Sequence, residues 1–313
     1  MKNTLNRIAD KKSFGASILA YWQVYVILLP SVLYLFIFNY VPFYGILLAF
    51  KDFRPRLGIW GSEWAGLKYF RTFFTLNAFK TILSNTVVLS VYQLAAGFPL
   101  PVIFALALNS CDNRRYKKIV QTVTYAPHFI SMVVLVGMMN VFFSPSLGIV
   151  SNLLRIMNLT NRPLLILTDP RAFRHLYVWS GIWANLGWSA IIYLGALSGV
   201  DPELHESARV DGANKFQRII FIDFPSILPT IIILLILNCG SIMNIGFEKV
   251  FLMQKPLNLP VSEVISTYVY KIGIREGQYS LATAVGLFNS GINFLLLITV
   301  NALSRRLSDY SLW

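Results

Sequence analysis

Six long stretches of this chain carry no Asp, Glu, Lys or Arg, and no other feature narrows the available folds as much. They lie between Lys12 and Lys51, Lys80 and Asp112, Lys118 and Arg155, Arg174 and Asp201, Asp223 and Glu248, and Glu276 and Arg305. Their lengths are 38, 31, 36, 26, 24 and 28 residues. A helix crosses the hydrocarbon of a bilayer with about 20 predominantly apolar residues, so each run holds one crossing. Composition agrees. Charged residues are 13% of the chain and hydrophobic residues 56%, whereas soluble domains average about 25% and about 45–50%. So few charges cannot cover a water-facing surface. The expected fold is all-α, a polytopic membrane protein with six transmembrane helices near 24–48, 83–109, 120–143, 175–198, 226–246 and 281–303. The expected organisation is a cytoplasmic N-terminal segment (1–23), a membrane domain (24–303) and a cytoplasmic tail (304–313).

An even number of crossings places both termini on one side. Lys2, Arg7, Lys11 and Lys12 precede the first run, and Arg114, Arg115, Lys117 and Lys118 crowd the second connection. By the positive-inside bias these segments are cytoplasmic. Summed over the chain the bias vanishes, with 13 basic residues inside and 14 outside. Density in short segments decides the orientation, because long loops cross largely regardless of charge. The net charge of +13 is then explained by basic residues at lipid headgroups, and nucleic acid is not an expected partner. The first apolar stretch is too long, and lacks the small-residue cleavage site, for a removable signal peptide. Residues 1–20 read as an interfacial helix, with Leu5, Ile8, Phe14 and Ile18 set among basic residues. Cys111 and Cys239 imply no disulfide framework. The outward connections (about 49–82, 144–174 and 247–280) are rich in aromatics, including Trp60 and Trp64. These suit anchoring at the membrane interface or docking of an external partner.

The fourth connection, about 199–225, departs from this pattern. It lies on the cytoplasmic side yet holds Asp201, Glu203, Glu206, Asp211 and Asp223 against Arg209, Lys215 and Arg218. Asp201 followed by Pro202 is an N-cap with proline at the first helical position. Gly212 can end that helix in the left-handed region without steric cost. Asn214 with Gln217 three residues on can open a second helix by reciprocal capping. The expectation is two short helices about a glycine bend, lying flat on the membrane face and shaped to enter a groove on a partner.

The string Glu206-Ser207-Ala208-Arg209-Val210-Asp211-Gly212-Ala213, with Ile222 and Pro225 downstream, resembles the EAA motif of bacterial ABC importer permeases. Ser207 stands where the motif has its middle alanine. The Asp211-Gly212-Ala213 form is similar to that of the carbohydrate-uptake branch. Tyr40-Val41-Pro42-Phe43-Tyr44-Gly45-Ile46, Ala49 to Phe53 and Trp64 to Leu67 resemble the lipoprotein-dependent, complex-polysaccharide members of that branch. The resemblance implies a type I importer permease in the bacterial plasma membrane, with this loop seated in a cleft of a separate ATPase. Glu206 would make polar contact there, Ser207 and Ala208 would allow close approach, and Gly212 would form the bend, flanked by Asp211 and Ala213. It further implies a second homologous permease, two ATPase subunits, an extracytoplasmic solute-binding protein and a carbohydrate cargo.

No G-x-x-x-x-G-K-[S/T] phosphate loop is present, so ATP and magnesium belong to the partner ATPase, and no cofactor is expected on this chain. The competing reading is an ion-driven secondary carrier, which places costly Asp, Glu or His at membrane depth. The six runs hold no acid, and His128, the histidine well inside a run, reads as a packed, hydrogen-bonded side chain. A membrane enzyme would need a catalytic constellation that three scattered histidines do not supply. Asn85, Gln93, Asn140, Asn185, Asn238, Asn289 and Asn293 are intramembrane polar residues that could join helices or meet cargo.

Overall fold

The computed structural model describes residues 21–145, 148–157, 165–307 and 310–312; the expected interfacial helix over 1–20 lies outside them. The first rod runs from Trp22 to Phe50. It begins as helix α1 (Trp22–Leu35), widens to a π turn over Phe36–Tyr40 and tightens to a 3-10 turn over Val41–Phe50. Pro42 is the cause, since its ring crowds the carbonyl four residues earlier and it has no N–H to donate. A short antiparallel pair follows, β1 (Lys51–Asp52) with β2 (Glu63–Trp64), then the amphipathic α2 (Lys68–Thr75). Helices α3 (Phe79–Gly97) and α4 (Pro99–Asn109) form a second rod with Pro99 at the joint.

The third expected crossing is not one straight helix. Helix α5 (Arg114–Tyr125) leads into a 3-10 turn at Ala126–Phe129, and α6 (Met132–Phe142) departs at 98°. Pro127 interrupts the hydrogen-bond ladder, and the Ser131 hydroxyl starts the new helix by accepting from the Val134 N–H. Helix α7 (Pro170–Leu197) is 28 residues long, about 42 Å at 1.5 Å per residue. After α8 (Pro202–Val210), α9 (Lys215–Arg218) continues through a π turn at Ile219–Asp223 into α10 (Phe224–Cys239). The second short helix expected in the fourth connection is therefore the foot of the fifth rod, Lys215–Cys239. The π turn absorbs the backbone conflict that Pro225 would create. The rod stops at Cys239, earlier than the expected 246, and α11 (Phe247–Met253) precedes α12 (Tyr279–Leu307).

Among the described residues four rods are long and apolar enough to cross a membrane, and five if the bent pair is one span. Helix α7 has the length but is diluted by Trp179, Trp183, Asn185 and Trp188. Apolarity alone therefore does not reach the expected six.

Helix α7 is the axis of the fold, packing against α3, α4, α5, α10 and α11. Tyr177 and Val178 join Leu89, Val136 and Val250 in one buried cluster, and Ala190 and Tyr193 join Val102, Ala105 and Ile227 in another. A third, at the far side, gathers Phe73, Ile82, Ile265 and Val285. Inside lipid such clusters hold by close packing, which small residues such as Ala105 and Ala190 permit.

The connections sort to two ends. At one end Asn85 donates to the carbonyls of Pro260 (2.9 Å) and Glu263 (3.1 Å), Asn258 donates to the Leu167 carbonyl (3.0 Å), and Ser280 Oγ donates to the Lys51 carbonyl (2.6 Å). At the other, Lys215 Nζ meets Asp112 Oδ2 at 2.5 Å. The three expected outward loops thus share one face, and the basic second connection and the acidic fourth share the opposite one.

Candidate functional site: a capped loop and a central cavity

The loop that follows α7 is held by local hydrogen bonds. Asp201 Oδ1 accepts from the Glu203 N–H at 3.0 Å, opening α8. The helix ends in a Schellman turn, with the Ala213 N–H donating to Ala208 (2.8 Å) and the Gly212 N–H to Arg209 (3.1 Å). Gly212 sits at φ +80°, and a Cβ there would meet nothing within 4 Å. The glycine is therefore required by the backbone conformation and not by crowding. Asn214 and Gln217 then cap each other reciprocally, at 2.9 and 2.8 Å.

This loop presents an apolar face to its surroundings. Val210 is 88% exposed and Phe216 69%, and Glu206, Ser207, Asp211 and Gly212 are exposed beside them, whereas Ala208 and Ala213 are half-buried. The protein side of α8 is fixed by His205, whose Nε2 lies 3.3 Å from Asp223 Oδ1. Asn109 at the end of α4 donates to the same oxygen at 3.2 Å. Asp223 is buried, so three chain segments meet on one carboxylate. Sequence reading passed over this junction, although a lone acid in the apolar string Ile219 to Phe224 was its signal. Hydrogen bonding and charge from Lys215 hold the Asp112 carboxyl below the usual carboxylate range.

A second feature lies between α3, α7, α10 and α11: a cavity of about 870 Å³. Gln93, Asn185, Asn238 and Asn244 supply its amides, Tyr177 and Trp188 its aromatic surface, and Glu248 and Lys249 its charges. His128, at the bend between α5 and α6, stacks on Trp188 with ring centroids 4.3 Å apart, and its Nδ1 lies 2.9 Å from Asn185 Oδ1. It is packed and hydrogen-bonded, as its sequence setting implied. The intramembrane polar residues divide by role. Gln93, Asn185 and Asn238 reach the cavity. Asn289 and Asn293 donate to Asn244 Oδ1 at 3.0 and 2.9 Å and tie α12 to the segment between α10 and α11. Asn85 ties down the 260–263 loop, and Asn140 is exposed.

Lys249 escaped the sequence reading because it falls in a connection and not in an apolar run. It is 6% exposed. Its Nζ donates to the Tyr177 carbonyl at 2.7 Å and stands 4.7 Å from the centre of that ring. Burial lowers its pKa to about 8.

Residues 97–309 match the family described as the binding-protein-dependent transport system inner membrane component. The chain is 43% identical to Protein LplB of Bacillus subtilis (strain 168) over 93% of its own length and 91% of that protein's. It is 40% identical to the polygalacturonan/rhamnogalacturonan transport system permease protein YteP of the same organism, covering 93% and 90%. Among solved structures, a chain of a bacterial alginate ABC transporter, in complex with alginate pentasaccharide-bound periplasmic protein, superposes with a TM-score of 0.87. The identity there is 37%, over 97% of this chain and all of that one. A multi-pass helical bundle, an exposed capped loop on one face and these matches agree: the chain belongs to the binding-protein-dependent transport system inner membrane components, the permeases of ABC importers.

Proposed function

We propose that this chain is the permease subunit of an ATP-driven importer of an oligo- or polysaccharide. It would form the path with a second, homologous permease and couple through the 199–225 loop to two separate ATPase subunits. The observation that carries the coupling role is the loop itself. It is stiffened at each turn by caps, exposes Val210 and Phe216, and is tied at its back to α4 and α10 through Asp223. A rigid element with an apolar outer face and a polar root is suited to pass a partner's movement into the bundle. Both termini and the loop would face the cytoplasm, where ATPase closure would move the loop and tilt the rods. An external binding protein would deliver cargo to the opposite face.

Carbohydrate as cargo is supported by the transport systems named for the similar proteins and by the amide-lined cavity, which can both donate to and accept from hydroxyls. The test is co-purification of tagged chain from its native membrane with Gly212→Val alongside. At φ +80° a β-branched residue costs on the order of 1–3 kcal/mol, and the open space around Gly212 leaves no other reason for an effect. The expected result is that wild type brings down a second permease and an ATPase, while Gly212→Val inserts normally but loses ATPase association or sugar uptake. Unchanged association and uptake in Gly212→Val would remove the coupling assignment, and a lone chain under every mild extraction would remove the importer.

A further inference from the structure

The cavity contains a cation that no carboxylate among the described residues neutralises. Lys249 forms no ion pair, and its chain neighbour Glu248 stands exposed at the cavity wall without pairing to it. An ammonium has three donors, and here one is committed to the Tyr177 carbonyl. A buried charge without a counter-charge is costly, and packing alone would be better served by an apolar side chain of similar length. The facing helix admits the ammonium because Gly181 of α7 has no side chain: a Cβ there would stand 3.0 Å from Nζ. Apart from Glu248, the rest of the lining is neutral, with amides from four residues and the Trp188 ring. Such a wall serves hydroxyls and sugar faces.

Building on the carbohydrate reading above, we propose that the cavity takes a carboxylate-bearing, uronate-type sugar unit, with Lys249 as the counter-charge that selects it. Amides from α3, α7 and α10 would meet the hydroxyls, while α11, which belongs to the outward connection, supplies the charge near the entry side. The lowered pKa of Lys249 agrees, because a carboxylate beside the ammonium would restore what burial has removed.

The test uses the assembled permease–ATPase complex in nanodiscs. A small acylating reagent modifies Lys249, and mass spectrometry reads the rate with trigalacturonate, maltotriose or sodium acetate present. Trigalacturonate is expected to slow modification about tenfold, the factor one charge-assisted contact is worth, with maltotriose and acetate having little effect. In uptake assays Lys249→Gln is expected to raise KM for the acidic trisaccharide by about the same factor, and Lys249→Arg to restore most of it. Equal protection by trigalacturonate and maltotriose would overturn charge selection while leaving carbohydrate import standing. Equal protection by acetate would make this a simple anion site and overturn the sugar assignment. No protection by any probe would overturn the proposal outright, and the importer reading would still be judged separately by co-purification.

Discussion

Gly187 offers the sharpest test of how the bundle is assembled. It lies in the middle of α7, opposite the end of α5, and a Cβ there would stand 2.5 Å from the Thr124 carbonyl oxygen, 2.6 Å from its carbon and 2.7 Å from Tyr125 Cδ1. Carbon reaches its most favourable contact at about 3.5–4.0 Å, so Gly187→Ala must move the helices apart by about 1 Å. Two of the three atoms are backbone and cannot rotate away. Overpacking of this kind costs about 1–3 kcal/mol. The gain in helix propensity from Gly to Ala offsets about 1 kcal/mol of that. Gly195 in the same helix is the control, because a Cβ there meets nothing within 4 Å, and it should collect the propensity gain without the clash. The two variants should therefore differ by about 1–3 kcal/mol. Thermal unfolding of the detergent-purified chain, monitored by tryptophan fluorescence, would place Gly187→Ala several degrees below Gly195→Ala. The bend beside His128 should loosen with it, raising the accessibility of the stacked Trp188 to a fluorescence quencher. If Gly187→Ala melts at or above Gly195→Ala, the close approach of α5 and α7 is refuted.

Two other outcomes follow from single polar contacts. Asp223→Ala should strand Asn109 and His205, each orphaned group costing about 1–3 kcal/mol, whereas Asp223→Asn keeps partners for both. The alanine variant should release the loop to protease at Arg209 or Lys215, and equal cleavage of the two variants would dissolve the junction. At the other end, the Tyr69 hydroxyl donates to Asp52 Oδ1 at 2.6 Å, and this bond, helped by Lys68 and Arg54, holds the Asp52 pKa below the ordinary carboxylate value. A depressed carboxylate contributes its stability above the unfolded value of about 3.9 and loses it as pH falls through the folded one. Amide protection at β1 and β2, taken relative to the intrinsic exchange rate at each pH, should therefore fall below about pH 4, and in Tyr69→Phe at higher pH than in wild type. Identical acid profiles would exclude this link.

The charge-free runs and caps were readable from the chain because they are properties of adjacent residues. A run of 24–38 residues without charge must be sheltered by lipid or protein wherever it lies. Asp201, Gly212 and the Asn214–Gln217 pair make their bonds within a few residues, so the loop's first helix, its turn and the start of the next were fixed locally. Three rods change course beside a proline, but the residue type does not say how. The same residue type gives a π turn before Pro42, a smooth joint at Pro99 and a 98° bend after Pro127, because neighbours decide whether a freed carbonyl is re-satisfied. What only tertiary structure decided is which distant residues meet. Asn109, His205 and Asp223 converge across 114 positions of sequence, and Lys249 leaves its loop to lie against Tyr177, 72 positions earlier. No local pattern encodes such meetings, since they depend on the tilt and separation of packed helices. That is why the sequence alone revealed the capped loop after α7, and only the folded chain revealed the charge inside its cavity.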